Sequence, residues 1–177
     1  MKVIARVFGV LVGVWVILIL VGFLLPGRYD VRRSVVIAAP RGDIFPLVGD
    51  LRAWPRWAAW LARDPQAKVE YSPATTEVGA WSSWTSKTQG DGKVTITAVR
   101  APGDFEYTFA FTDVGLVAQG SVVLQPAPGG TRVTMGMAGD LGRSPTRRWF
   151  GLFLNRLVGP DLEAGLSNLQ RASGAPR

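Results

Sequence analysis

The sequence contains no histidine and no cysteine. Without histidine the chain lacks the side chain that changes charge near neutral pH, and with it the usual general base and the commonest metal ligand. Without cysteine it has no thiolate nucleophile, no zinc–thiolate site and no disulfide. The 13 acidic residues follow neither an HExxH spacing nor the Asp/Asn ladder of a calcium loop. No metal and no cofactor is therefore expected, and any acid–base chemistry falls to Asp, Glu, Tyr, Lys or Arg. The lack of cysteine suits either side of a bacterial membrane and selects neither. What remains is a chain of 177 residues, 47% apolar, which is enough for one domain with a real core.

The net charge is +7. Its lysines and arginines are scattered, paired only at Arg32-Arg33 and Arg147-Arg148, and are not concentrated among exposed aromatics as nucleic-acid binding requires. No nucleic-acid partner is expected.

From Val7 to Leu25 the chain carries no charge, "VFGVLVGVWVILILVGFLL". As a helix this run is about 28 Å long, which matches a hydrocarbon core of roughly 30 Å. It exceeds the apolar region of a cleaved signal peptide, and "LLPGRYD" offers no A-x-A-like cleavage site. The expectation is an uncleaved single-pass anchor, in a bacterial inner membrane, with residues 1–28 forming anchor and tether. Lys2 and Arg6 before the span balance Arg28, Arg32, Arg33 and Arg41 after it, so charge does not choose the side on which the domain lies. Pro26-Gly27 ends the helix and keeps the domain near the bilayer surface.

Beyond the tether, "VRRSVVIAA" reads as a strand closed by Pro40, and Pro40 to Val48 as a short helix. A second short helix follows, with Pro55 in its first turn. Then "KVEYS", "GAWSSWTSK", "KVTITAV", "FEYTFAF", "GSVVLQP" and "TRVTMGMA" are strands between turn signals such as "QGDGK", "APGD" and "APGG". Phe105, Tyr107, Phe109 and Phe111 share one face of their strand. A cover for that face is written at the end of the chain. Ser144 as N-cap and Pro145 open a long helix whose stripe runs through Phe150, Phe153, Leu154, Leu157, Leu162, Leu166 and Leu169, with a kink at Gly159-Pro160. The architecture is α+β: one strand, two short helices, six antiparallel strands, and a C-terminal helix on the concave face of a curved sheet. The domain is placed at 29–171, with 172–177 a flexible tail.

That order, with "RSVVIAAPRGDIFPLVGDLRAWPRWAAW" and "GPDLEAGLSNLQ", resembles the START-like (SRPBCC) superfamily, in its polyketide cyclase/dehydrase and lipid transport branch, over residues 31–171. The resemblance implies a helix-grip fold with a cavity between sheet and C-terminal helix that accepts an apolar or amphipathic molecule. It places Trp54 and Trp57 beside the cavity entrance, and Gly165, Leu166 and Leu169 at the end of the gripping helix. It does not carry the reaction in the family label, because fold does not determine chemistry.

In "WPRWAAW" a spacing of three rotates successive side chains by about 300° in a regular helix, so Trp54, Trp57 and Trp60 are expected to face different ways. Trp57 is assigned to the cavity mouth and Trp60 to the bilayer interface. Trp81 and Trp84, at odd separation on one strand, face opposite sides. The Phe105 to Phe111 row is explained first as core, and the Tyr107 hydroxyl is the group most able to orient a ligand. The cavity set is thus Trp54, Trp57, Trp84, Tyr107, Phe109, Phe153 and Leu157. The membrane-contact set is Trp60, Arg147 and Arg148, the two arginines against anionic headgroups.

Three functions remain open. The first is non-catalytic binding of a hydrophobic small molecule or lipid by a membrane-anchored domain. The second is a cyclase or dehydratase acting on a polyketide-like or aromatic substrate, for which Tyr107, Glu106, Arg100 and Asp140 would have to converge. The third is a protein-interaction module, marked by a filled cavity beside an exposed apolar patch.

Overall fold

The computed structural model describes residues 2–88, 90–112 and 115–174. Its elements are α1 (Lys2–Leu24), β1 (Arg28–Ile37), α2 (Arg41–Gly49), a 3-10 segment (Leu51–Arg56), α3 (Ala59–Arg63), β2 (Lys68–Tyr71), β3 (Trp81–Thr85), β4 (Gly92–Arg100), β5 (Asp104–Phe111), β6 (Leu116–Ala127), β7 (Gly130–Asp140), α4 (Pro145–Gly151) and α5 (Leu154–Ala172). The six strands read from the pattern all form. Gln89 of the "QGDGK" turn, and residues 175–177 of the tail, lie outside the described residues.

The strands make one antiparallel sheet in the order β1-β7-β6-β5-β4-β3-β2. β2 to β7 are a meander, each strand beside the one before it, as the tight Gly- and Pro-containing turns between most of them favour. β1 crosses over to pair with β7, with Val31 opposite Met137 and Val35 opposite Val133. The period of two holds on β5: Phe105, Tyr107 and Phe109 are buried while Glu106 and Thr108 face outward. On β3, Trp84 is buried and Trp81 lies on the other face, with the Lys93 ammonium 4.6 Å above its ring. This is the α+β helix-grip architecture expected from the element order.

α5 covers the concave side. Leu154, Leu162, Leu166 and Leu169 are buried under it, and Arg33 of β1 reaches Glu163 at 2.5 Å. The two ends of the predicted stripe differ. Phe150, Phe153 and Leu157 are more than half exposed. The long helix also breaks earlier than expected, between Gly151 and Leu154, while α5 runs through Pro160. The reason lies in what α4 packs against. Trp149 Nε1 donates to the Leu18 carbonyl at 2.8 Å, and Arg148 Nη1 donates to the Phe23 carbonyl at 2.7 Å and the Leu25 carbonyl at 3.1 Å. Those are carbonyls toward the C-terminal end of α1, two of them past the point where intrahelical donors run out. α4 thus follows α1 while α5 follows the sheet, and the chain must bend between them. Ser144 precedes Pro145 without a capping bond from its side chain.

α1 is the one helix among the described residues long and apolar enough to cross a membrane, over Arg6–Leu24 with mean hydropathy 2.9, and it is almost entirely exposed.

Candidate ligand-binding site

The local chain path explains the tryptophans. α2 ends at Gly49, so its last carbonyls have no partner within the helix. The amide of Leu51 is taken by the Thr75 carbonyl at 3.1 Å and that of Arg52 by Asp50 Oδ1 at 2.9 Å. Two indoles fill the gap: Trp57 Nε1 donates to the Leu47 carbonyl at 2.7 Å, and Trp54 Nε1 to the Val48 carbonyl at 2.8 Å. Both rings are almost fully buried. The Trp-x-x-Trp motif is therefore a C-terminal cap for α2 made of side chains.

All three tryptophans of "WPRWAAW" point inward, contrary to the regular-helix expectation. The segment is not one helix. After the 3-10 segment, Trp57 has φ −137° and ψ −26°, and Ala58 is extended at φ −66° and ψ 114°. That break turns Trp60 back onto the others, with ring centroids 5.0 Å apart for Trp54–Trp57, 5.8 Å for Trp54–Trp60 and 6.4 Å for Trp57–Trp60. Trp60 also meets Phe109 edge to face at 5.1 Å. Such pairs contribute about 0.5–1.5 kcal/mol each beyond burial.

Between this cluster, the sheet and α5 lies a cavity of about 140 Å³. Its walls are Trp57 and Trp60, Tyr107, Phe109 and Phe111 of β5, Met135 and Met137 of β7, and the Leu157 to Gly165 face of α5. An apolar cavity of roughly 150 Å³ holds one six-membered ring. Asp161 stands on its rim, ion-paired with Arg63 of α3, so that this pair ties α3 to α5 beside the cavity. Of the residues expected at a cavity, Trp57, Tyr107, Phe109 and Leu157 line it. Trp54 and Trp84 lie behind its wall, Trp84 tilted against Phe109 with ring centroids 5.0 Å apart, and Phe153 is on the surface. Trp60, expected at the bilayer, is in the cavity wall, and Arg148 is occupied by the end of α1 while Arg147 is exposed. Met135, Met137 and Gly165 were not singled out as lining. The period of two on β7 puts both methionines on one face, the signal that identifies them.

Among the hollows larger than this cavity, two of about 510 and 600 Å³ open where the chain leaves α1. They are shallow and lined by charged residues such as Arg28, Asp140 and Arg143. The polar groups considered for catalysis do not meet in the aromatic cavity. Arg100 Nη1 bonds Glu106 Oε1 at 2.8 Å, Glu106 being on the outward face of β5, and Asp140 ends β7 beside Arg28. Tyr107 alone lines the cavity.

Burial pushes the Tyr107 phenol well above its ordinary value, because the phenolate would lose its hydration. The group is a standing hydrogen-bond donor and not a base. The folded state holds this proton to higher pH than the unfolded chain, which begins to lose it near pH 10. Stability is expected to be insensitive to Tyr107 below that point and to fall as pH rises above it. Urea midpoints of wild type and Tyr107→Phe measured between pH 8 and 11 check this: the variant should decline less steeply above pH 10, since Tyr29 and Tyr71, also raised by burial, remain. Parallel declines would show that Tyr107 is not the group responsible.

The indole N–H groups of Trp60 and Trp84 are buried without any acceptor among the described residues. Leaving such a donor unpaired costs about 1–3 kcal/mol.

A seven-stranded antiparallel sheet closed by a C-terminal helix over an aromatic cavity defines a helix-grip domain. The chain belongs to the polyketide cyclase/dehydrase and lipid transport family, whose model matches residues 28–174. Solved structures share the fold. Protein Ms6760 from Mycobacterium smegmatis is similar at 19% identity and TM-score 0.57, covering 81% of this chain and 89% of its own. A protein from Rhodobacter sphaeroides is similar at 14% identity and TM-score 0.59, covering 84% and 92%. DynU16, from the dynemicin biosynthetic locus, is similar at 17% identity and TM-score 0.58, covering 83% of this chain and 48% of its own. At these identities the likeness is one of fold. No protein of curated function matches the sequence.

Proposed function

We propose that the protein is a membrane-anchored, non-catalytic binder of a small apolar or amphipathic molecule, held between the sheet and α5. The observation that carries this reading is an apolar cavity between the sheet and α5, walled by Trp57, Trp60, Tyr107 and Phe109. A ring or short alkyl body bearing a carbonyl or hydroxyl oxygen fits such a space, its body filling the apolar volume and its oxygen accepting from a donor in the wall. Tyr107, kept protonated by burial, is such a donor. The family description names lipid transport beside cyclase and dehydrase activity. The scattering of Glu106, Arg100 and Asp140 away from the cavity favours the binding half of that description. α1 supplies the anchor.

Gly165 provides the test. A Cβ added there would stand 3.7 Å from Met135 Sδ and 3.9 Å from Trp57, in ordinary contact. Gly165→Ala is expected to preserve binding and to raise stability by up to about 1 kcal/mol through helix propensity. Gly165→Leu should fill the cavity and abolish binding while the fold persists. The readout is 19F NMR of 4-fluoroacetophenone with the full chain in nanodiscs, with a bound resonance expected for wild type and Gly165→Ala only. A bound signal that survives Gly165→Leu places the ligand elsewhere. Absence of any bound signal, together with no small molecule extractable from the purified protein, removes the binding reading.

A further inference from the structure

The junction of α4 and α5 presents Phe150, Leu152, Phe153 and Leu157 to the outside, each more than half exposed. Four large apolar side chains in eight positions are a patch and not scattered surface. What covers them is indicated by the element beside them. Trp149 is bonded to the Leu18 carbonyl, six residues before the end of α1, so α4 lies about 9 Å down the axis of that helix from its end. Arg148 fastens the other side of α4 to the Phe23 and Leu25 carbonyls, and Pro145 packs against Gly22, where a Cβ would stand 2.7 Å from the proline ring. These contacts fix α4 at the level of the last turns of an exposed helix that is long and apolar enough to span a bilayer. If those turns are in lipid, the patch is at the same depth. Arg143 and Arg147 sit at the opening of α4, exposed, where anionic headgroups would meet them.

We propose that α4 and the first turn of α5 form a wedge inserted in the bilayer beside α1, which sets the cavity rim against the membrane. Leu157 belongs to both surfaces: it lines the cavity and is exposed with the patch. A ligand then enters from lipid at the Leu157 and Asp161 edge and does not cross water. The wedge rests on the anchor reading of α1, and its ligand route on the binding reading.

The chain has no cysteine, so single sites can be labelled without background. Phe153→Cys, Leu152→Cys, Val14→Cys and Lys68→Cys variants of the full chain, each carrying a nitroxide, are reconstituted in vesicles of phosphatidylcholine with one-third phosphatidylglycerol. Power-saturation EPR then compares collision with oxygen and with an aqueous nickel chelate. Val14 reports on α1, and Lys68, an exposed residue on β2, reports on water. The expected result is at least a threefold higher oxygen-to-nickel ratio at Leu152 and Phe153 than at Lys68. A low ratio at Val14 overturns the anchor reading itself. A high ratio at Val14 with low ratios at Leu152 and Phe153 overturns the wedge alone. Dipolar broadening between Phe153 labels on separate chains assigns the patch to self-association and also overturns it. None of these outcomes depends on a ligand being bound, so cavity binding fails or stands by the fluorine measurement.

Discussion

Trp54→Ala is expected to destabilise the protein by about 4 kcal/mol, the upper part of the range for emptying a buried aromatic site. The side chain is 1% exposed and touches Trp57, Trp60, Phe105 and Tyr107, all within 6.0 Å between ring centroids. Its removal opens a void at the hub of that cluster and also leaves the Val48 carbonyl without its donor. Against a total stability of about 5–15 kcal/mol, this loss alone brings the fold near its limit. Trp54→Phe separates the two contributions. It keeps most of the ring volume and removes the N–H, so it should cost about 1–3 kcal/mol, the penalty for an unsatisfied buried acceptor. Urea denaturation of both variants measures the difference. A Trp54→Phe loss near zero beside a large Trp54→Ala loss would mean that the cap on α2 contributes nothing and that packing alone explains the motif.

Gly120→Ala is expected to lower stability by about 2–3 kcal/mol through overpacking, a large effect for one methyl group. Tyr107 of β5 pairs with Gly120 of β6, and its phenol ring covers the glycine so closely that a Cβ there would stand 2.1 Å from the ring's Cζ. Trp84 covers Gly92 of β4 in the same manner. Aromatic rings laid over cross-strand glycines let the sheet curve tightly beneath them without a void. A methyl group at position 120 must push the Tyr107 ring into the cavity, so it costs stability and ligand space together. A double-mutant cycle with Tyr107→Leu tests the cause. In the Tyr107→Leu background, Gly120→Ala should cost less than about 0.5 kcal/mol, near the noise of such cycles. An undiminished cost there would place the strain in the backbone of β6.

The order of elements was legible because its signals are local. β5 declares its faces through alternating Phe105, Tyr107 and Phe109, and each strand of the meander ends at a turn that needs glycine or proline. α1 is read from the absence of charge between Val7 and Leu25. The cavity was partly legible: the inward face of β5 contributes Tyr107 and Phe109, and the family resemblance contributes Trp57. Met135 and Met137 carried the right period but an unremarkable composition.

The sequence by itself determined the helix-grip order, the faces of the strands and the presence of one membrane-length apolar helix, since each follows from periodicity within a few neighbouring residues. The tertiary structure decided the rest, because each outcome depends on a partner remote in the chain or on a single backbone break. The turn at Trp57 and Ala58 brings three tryptophans together where a regular helix would part them. The unpaired carbonyls of α2 claim the indoles of Trp54 and Trp57, those at the end of α1 claim Arg148, and Trp149 adds a bond to the Leu18 carbonyl one turn further back. Drawn to α1, α4 leaves the line of α5, and so Phe150 and Phe153, apolar residues at core spacing, end on the outside.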